Sequence, residues 1–166
     1  MNATFEQIRG LAAIRLAESQ ALPEAVTECA WACGWLEACS YPGLRMLEEA
    51  LIETAVDDQR PALELDTMGL DLRYISCVFT APRIAALAIE RQRIFLRNVR
   101  HGLYLLPFSV RANIGIGCPV DPAFALGGER TKDPYAEKRA LAERSGIAVD
   151  DALWAHLSQE KDLSFS

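Results

Sequence analysis

The apolar positions of the first sixty residues recur at helical spacing. Ile8, Leu11, Ala12 and Leu16 follow Thr4-Phe-Glu-Gln7, a capping box in which the Thr4 hydroxyl accepts at the first turn and Gln7 reaches back. A helix is therefore predicted from about Phe5 to Gln20. Pro23 is well placed as the first residue of a second helix. In that helix Val26, Cys29, Ala30, Trp31, Cys33 and Leu36 occupy more than one face, which predicts central burial or burial between subunits. Ser40-Tyr-Pro-Gly43 breaks it. Leu44, Leu47, Leu51 and Ile52 then form the stripe of a third helix, with Glu48, Glu49 and Glu53 on its wet face, ending at Asp57-Asp-Gln-Arg-Pro61.

After Pro61 the period changes. Asp71–Phe79 mixes alternation with a β-rich apolar run and reads as a strand. Thr80 and Pro82 read as the cap and first-turn proline of a helix reaching Arg93. Ile94–Val99 and Gly102–Phe108 read as two further strands joined by a turn at Asn98–Gly102. Asn113–Gly128 is punctuated by glycine and proline and reads as a loop with room for one short strand. Asp133-Pro134 opens a helix to about Ser145, and Asp150 caps a last one containing Leu153, Trp154 and Leu157. The expected fold is α+β: a helical N-terminal bundle (1–60) packed beside a small sheet with C-terminal helices (61–166), in one compact domain overall.

Composition agrees with a globular chain: of 166 residues, 51% are apolar and 24% charged, so no metal or disulfide is needed for folding. No apolar run approaches the ~18 residues of a membrane span, and no basic leader precedes an apolar stretch. The net charge of −6 is unevenly spread: residues 1–60 carry ten acids and four arginines, residues 82–111 six arginines and one glutamate. An acidic chain repels nucleic acid and anionic lipid, so neither partner is expected. The five cysteines are odd in number, which points to reduced thiols in a cytoplasmic protein. Cys29 and Cys33 share a helical face, but His101 and His156 are the only histidines, so no metal site is expected.

Cys118 is the best-placed nucleophile. It lies in Gly115-Ile-Gly-Cys-Pro-Val-Asp121, where backbone amides can turn toward a substrate oxygen, with Asp121 close by and His101 able to approach across the strand pair. The competing reading is a half-buried loop cysteine. This segment lacks the third glycine of a dinucleotide fingerprint, and a proline stands where the helix would start. Arg91, Arg93 and Arg97 share one face if the strand is formed, an arrangement suited to a carboxylate or phosphate. The competing reading pairs these arginines with the acidic helices, within the chain or across a dimer. His156 is expected at the surface or on a rim.

Three stretches, Thr4-Phe-Glu-Gln-Ile-Arg9, Ala25–Cys33 and Tyr41-Pro-Gly-Leu-Arg-Met-Leu47, resemble the start of the malate/L-lactate dehydrogenase-type family, whose NAD(P)-dependent members lack a Rossmann domain. That resemblance implies two helices, a break and a third helix. At the break the family carries Ser-His-Gly, whose histidine moves the proton; here Tyr41-Pro42-Gly43 keeps only the glycine. Proline cannot titrate, so the acid–base step does not carry over; Tyr41 is a candidate to line a remnant pocket as a hydrogen-bond donor, and the competing reading makes Tyr41-Pro-Gly43 simply a helix-breaking turn. Trp31, Trp35, Pro42-Gly-Leu44 and Leu105-Leu-Pro-Phe108 are also similar to a family of small bacterial proteins known only as a domain of unknown function. The expectation is a homodimeric binding or accessory protein without a cofactor. The alternatives are an enzyme using Cys118 on a carboxylate held by Arg93 and Arg97, and NAD(P) binding without turnover.

Overall fold

Thr4 begins the first helix as the capping box requires. Gln7 donates its N–H to the Thr4 hydroxyl at 3.1 Å, and Thr4 donates its own to the Gln7 side chain at 2.9 Å. The computed structural model describes residues 1–19, 23–54, 65–66, 69–116, 123–129 and 133–163. The chain forms two units, Met1–Glu53 with Pro134–Ser166, and Thr54–Asp133, and the class is α+β.

The first unit contains α1 (Phe5–Glu18), α2 (Pro23–Ala38), α3 (Gly43–Thr54), α6 (Ala136–Ser145) and α7 (Asp151–Leu163). Ile8, Ala12 and Leu16 of α1, Cys29, Cys33 and Leu36 of α2, and Leu44 and Leu47 of α3 are all fully or almost fully buried. At the break, Ser40 takes a positive φ of 66° and Tyr41 returns its N–H to the Leu36 carbonyl at 2.8 Å, closing α2. Glu37 accepts the Leu44 N–H at 2.9 Å, so a side chain of α2 caps the start of α3. The C-terminal helices, expected alongside the sheet, belong instead with the N-terminal ones. A short antiparallel ladder pairs β1 (Asn2–Ala3) with β7 (Ile147–Ala148), α6 packs on α2, and α7 packs on α1. Asp150 caps α7 as anticipated, accepting the Leu153 N–H at 2.8 Å.

The second unit is a five-stranded sheet in the order β2 (Leu65–Asp66), β3 (Gly69–Asp71), β4 (Arg93–Arg97), β6 (Ala123–Glu129), β5 (Ile114–Ile116). β3 and β4 are parallel, and α4 (Cys77–Arg91) makes the crossover between them. Ile94 and Leu96 are buried on one side of β4, and α4, which packs on that strand, buries Val78, Ala81, Ile84 and Ala88. Gly69, at φ +104°, lies so close to β4 that a Cβ there would stand 2.4 Å from the Phe95 carbonyl oxygen.

Four expectations change in the fold. The strand over Asp71–Phe79 ends at Asp71. Arg73 and Tyr74 take positive φ, and the Ser76 hydroxyl accepts the Val78 N–H at 3.1 Å, so the apolar Cys77-Val-Phe79 opens α4. Pro82 thus sits inside the helix and Thr80 is not its cap; the Thr80 hydroxyl donates to the Ser76 carbonyl at 3.2 Å. Gly102–Phe108 is a 3-10 turn (Gly102–Tyr104) leading into α5 (Leu105–Arg111), because a short, largely buried apolar run suits helix and strand equally. The punctuated stretch Asn113–Gly128 holds β5 and most of β6. Among the described residues, no helix is long and apolar enough to cross a membrane.

Candidate functional site

His101 forms a close polar pair in the sheet unit. Its backbone is left-handed (φ 56°, ψ 41°), and its Nδ1 lies 2.6 Å from the Ser76 hydroxyl oxygen. The same oxygen accepts from the Val78 N–H, and the imidazole tautomer sets which partner donates between Ser76 and His101. A serine and an imidazole within hydrogen-bond reach meet one requirement of a nucleophile. The helix N-terminus around them, however, has spent its donors. The Cys77 N–H goes to the Arg100 carbonyl at 2.9 Å and the Phe79 N–H to the Ser76 carbonyl at 3.2 Å. The pair therefore fixes the turn after β4 to the start of α4. Cys118 and Asp121, the expected partners of His101, lie outside the described residues.

The other cysteines are poor candidates for chemistry. Cys29, Cys33, Cys39 and Cys77 are free and buried. Burial pushes the Cys29 thiol up to about 12, with Glu28 and Cys33 adding to it. Burial likewise pushes Cys77 up to about 12, against hydrogen bonds involving Thr80 and Arg100 that pull it down. A protonated thiol is neither a nucleophile nor a metal ligand. Among the described residues, no group of three or more His, Cys, Asp or Glu is placed to hold a metal ion.

Arg93 and Arg97 do share a face. The alternation of β4 places them on either side of Phe95, whose side is opposite to that of the buried Ile94 and Leu96. Phe95 is 57% exposed. In register beside this row stand Gly127, Ala125 and Ala123 of β6. Asp71 of β3 is in register with Arg97 and accepts from the Asn98 amide at 2.8 Å and the Arg73 N–H at 3.0 Å. The Asn98 bond, chiefly, holds the Asp71 carboxyl below the usual carboxylate range, helped by the Arg73 N–H and by the charges of Arg97 and Arg73. Arg91 does not join the row, because it ends α4 and the strand starts at Arg93.

Tyr41 belongs to the helical unit, where it meets an aromatic cluster. Its ring lies edge-on to Tyr135 at 6.1 Å, and Tyr135 is edge-on to Trp35 at 5.3 Å. The Arg139 guanidinium stands over Trp35 at 5.3 Å, so the cluster seats α6 on α2. In the same unit, a cavity of about 80 Å³ is lined by Arg15, Glu48, Leu51, Ile52, His156 and Leu157. His156 Nε2 lies 3.6 Å from a Glu48 carboxylate oxygen, which makes the expected rim histidine part of a polar wall. Arg15 and Glu48 escaped the sequence reading because each looks like an ordinary member of a helical charge pattern. Arg15 does pair with Glu18, and Glu48 with Arg45, at i,i+3. No protein-family model matches this chain, and no curated protein or solved structure is similar to it.

Proposed function

We propose that the protein is a homodimeric binding or accessory protein, in which the arginine-bearing sheet face of each copy docks on the acidic helices of the other. The observation that carries this reading is the row Arg93–Phe95–Arg97 on one side of β4, with Arg93 and Phe95 exposed and Arg97 half-buried. Exposed aromatic and arginine side chains are the residues from which interface energy is most often built. Charge complementarity selects a second copy as the occupant: the docking row carries Arg93 and Arg97, and residues 1–60 carry net −6, with Glu24 and Glu49 exposed on the helices. Two-fold symmetry makes each such contact twice. The resemblance of the helical start to dehydrogenases enters only as a scaffold, since Pro42 stands where their histidine does.

Sedimentation velocity at rising ionic strength tests this. A dimer is expected at low salt, dissociating as the screening length falls from ~10 Å at 0.1 M toward ~3 Å at 1 M. Arg93→Glu with Arg97→Glu is expected to give monomer throughout. A chain that is monomeric at low salt, or a dimer indifferent to both salt and substitution, contradicts the reading.

A second reading has an observation of its own. With four cysteines buried, thiol chemistry on a carboxylate held by Arg93 and Arg97 falls to Cys118. Native labelling by iodoacetamide at Cys118 is then expected; labelling only after unfolding removes it.

A further inference from the structure

We propose that the cavity between α1, α3 and α7 binds a small zwitterion of the size of glycine or alanine, its carboxylate toward Arg15 and its ammonium toward Glu48. Arg15 comes from α1, Glu48, Leu51 and Ile52 from α3, and His156 and Leu157 from α7. The walls carry opposite charges. Arg15 is a charged residue only 8% exposed, and a guanidinium presents a planar fork of donors that fits a carboxylate. The Glu48 side chain is 16% exposed and can only accept once ionised, which suits an ammonium or amino group.

Both charged walls also touch neighbours of opposite sign, Arg15 with Glu18 and Glu48 with Arg45, and His156 is the rim group beside Glu48. A ligand carrying both charges offers each wall its complement. Leu51 and Leu157 supply an apolar wall, and Ile52, 66% exposed, stands at the mouth. A cavity of about 80 Å³ is well below the ~300 Å³ of the smallest drug-sized ligand pockets, so its ligand is a small one. The site lies wholly within the helical unit and is independent of the proposed dimer contact.

Titration of the full chain with glycine, followed by amide and imidazole NMR shifts, is the test. Saturable shifts are expected at α3 and α7 residues and at His156. Acetate and methylamine, each carrying one of the two charges, are expected to bind at least roughly tenfold more weakly, since each forfeits one charged hydrogen-bonding contact. Arg15→Gln and Glu48→Gln are each expected to weaken glycine by roughly 10- to 100-fold. Because a buried arginine can matter to folding, Ile52→Trp supplies an independent variant: it fills the mouth from an exposed position and is expected to abolish the shifts with the melting temperature unchanged. The proposal is overturned by no saturable shift, by acetate or methylamine binding as tightly as glycine, or by full binding in folded Glu48→Gln and Ile52→Trp.

Discussion

Two glycines in the helical unit are expected to respond to alanine with opposite signs. Gly43 is the first residue of α3, where a Cβ would stand 2.8 Å from the Cys33 carbonyl oxygen and 3.1 Å from the Leu36 Cβ. Both neighbours belong to α2, one of them backbone and the other fixed directly to it, so neither can swing aside. The two helices must separate, and overpacking of that kind costs about 1–3 kcal/mol. Gly10 lies mid-way along α1, exposed, with nothing within 4 Å of a built Cβ. There alanine only narrows the freedom of the unfolded chain and stabilises by about 0.5–1 kcal/mol. Urea unfolding followed by tryptophan fluorescence reads both, since Trp31, Trp35 and Trp154 all lie in this unit. For a unit of this size, each kcal/mol moves the midpoint of a thermal scan by roughly 4–8 °C. Gly43→Ala at or above wild-type stability, or Gly10→Ala below it, would refute the argument that space at the α2–α3 junction, rather than helix propensity, keeps Gly43.

Other substitutions probe the caps and the titrating groups. Ser76→Ala removes the N-cap of α4 and the partner of His101, and is expected to cost about 1–2 kcal/mol in chemical denaturation; a neutral result removes the clamp. Burial raises the Glu37 pKa despite the Leu44 N–H, so the charged form is disfavoured in the fold and stability falls as pH rises from the ordinary carboxylate range through the raised value. Glu37→Gln keeps an acceptor for Leu44, so it is expected to be more stable than wild type at neutral pH, with the gap closing in acid; equal stability at every pH contradicts this. Asp71 has the opposite sign: its contribution is present above the ordinary carboxylate range and is lost as pH falls through its depressed value. Asn98→Gly, at a residue whose φ of 54° glycine tolerates, is expected to raise the Asp71 pKa in an NMR titration, and an unmoved titration rejects the hydrogen bond as its main cause. Native protein at mildly alkaline pH is expected to leave Cys29 and Cys77 unalkylated, and their rapid modification would show that burial does not protect them.

The helical half was legible in advance because its information is local. The capping box at Thr4, the proline at position 23, the break at Tyr41-Pro-Gly43 and the Asp150 cap each involve groups a few residues apart, and all formed where the pattern put them. Local pattern is ambiguous where a short apolar run is largely buried. Cys77-Val-Phe79 and Leu103–Phe108 carry no periodicity that separates strand from helix, and the deciding bonds come from elsewhere, such as the Cys77 N–H to Arg100. The arginine row was half legible: strand alternation predicts Arg93 with Arg97, but the start of β4 leaves Arg91 on α4.

The sequence by itself determined the α+β class, the acidic helices and the basic strand region, because composition and short-range spacing suffice for them. Tertiary structure alone decided that the last two helices join the first three, with a two-residue ladder between segments almost 150 positions apart. It also decided that Ser76 meets His101 and that Arg15, Glu48 and His156 line one cavity. Each of these depends on which groups distant in the chain are brought together, by backbone pairing for the ladder and by side-chain packing for the other two, a long-range condition that no local pattern encodes.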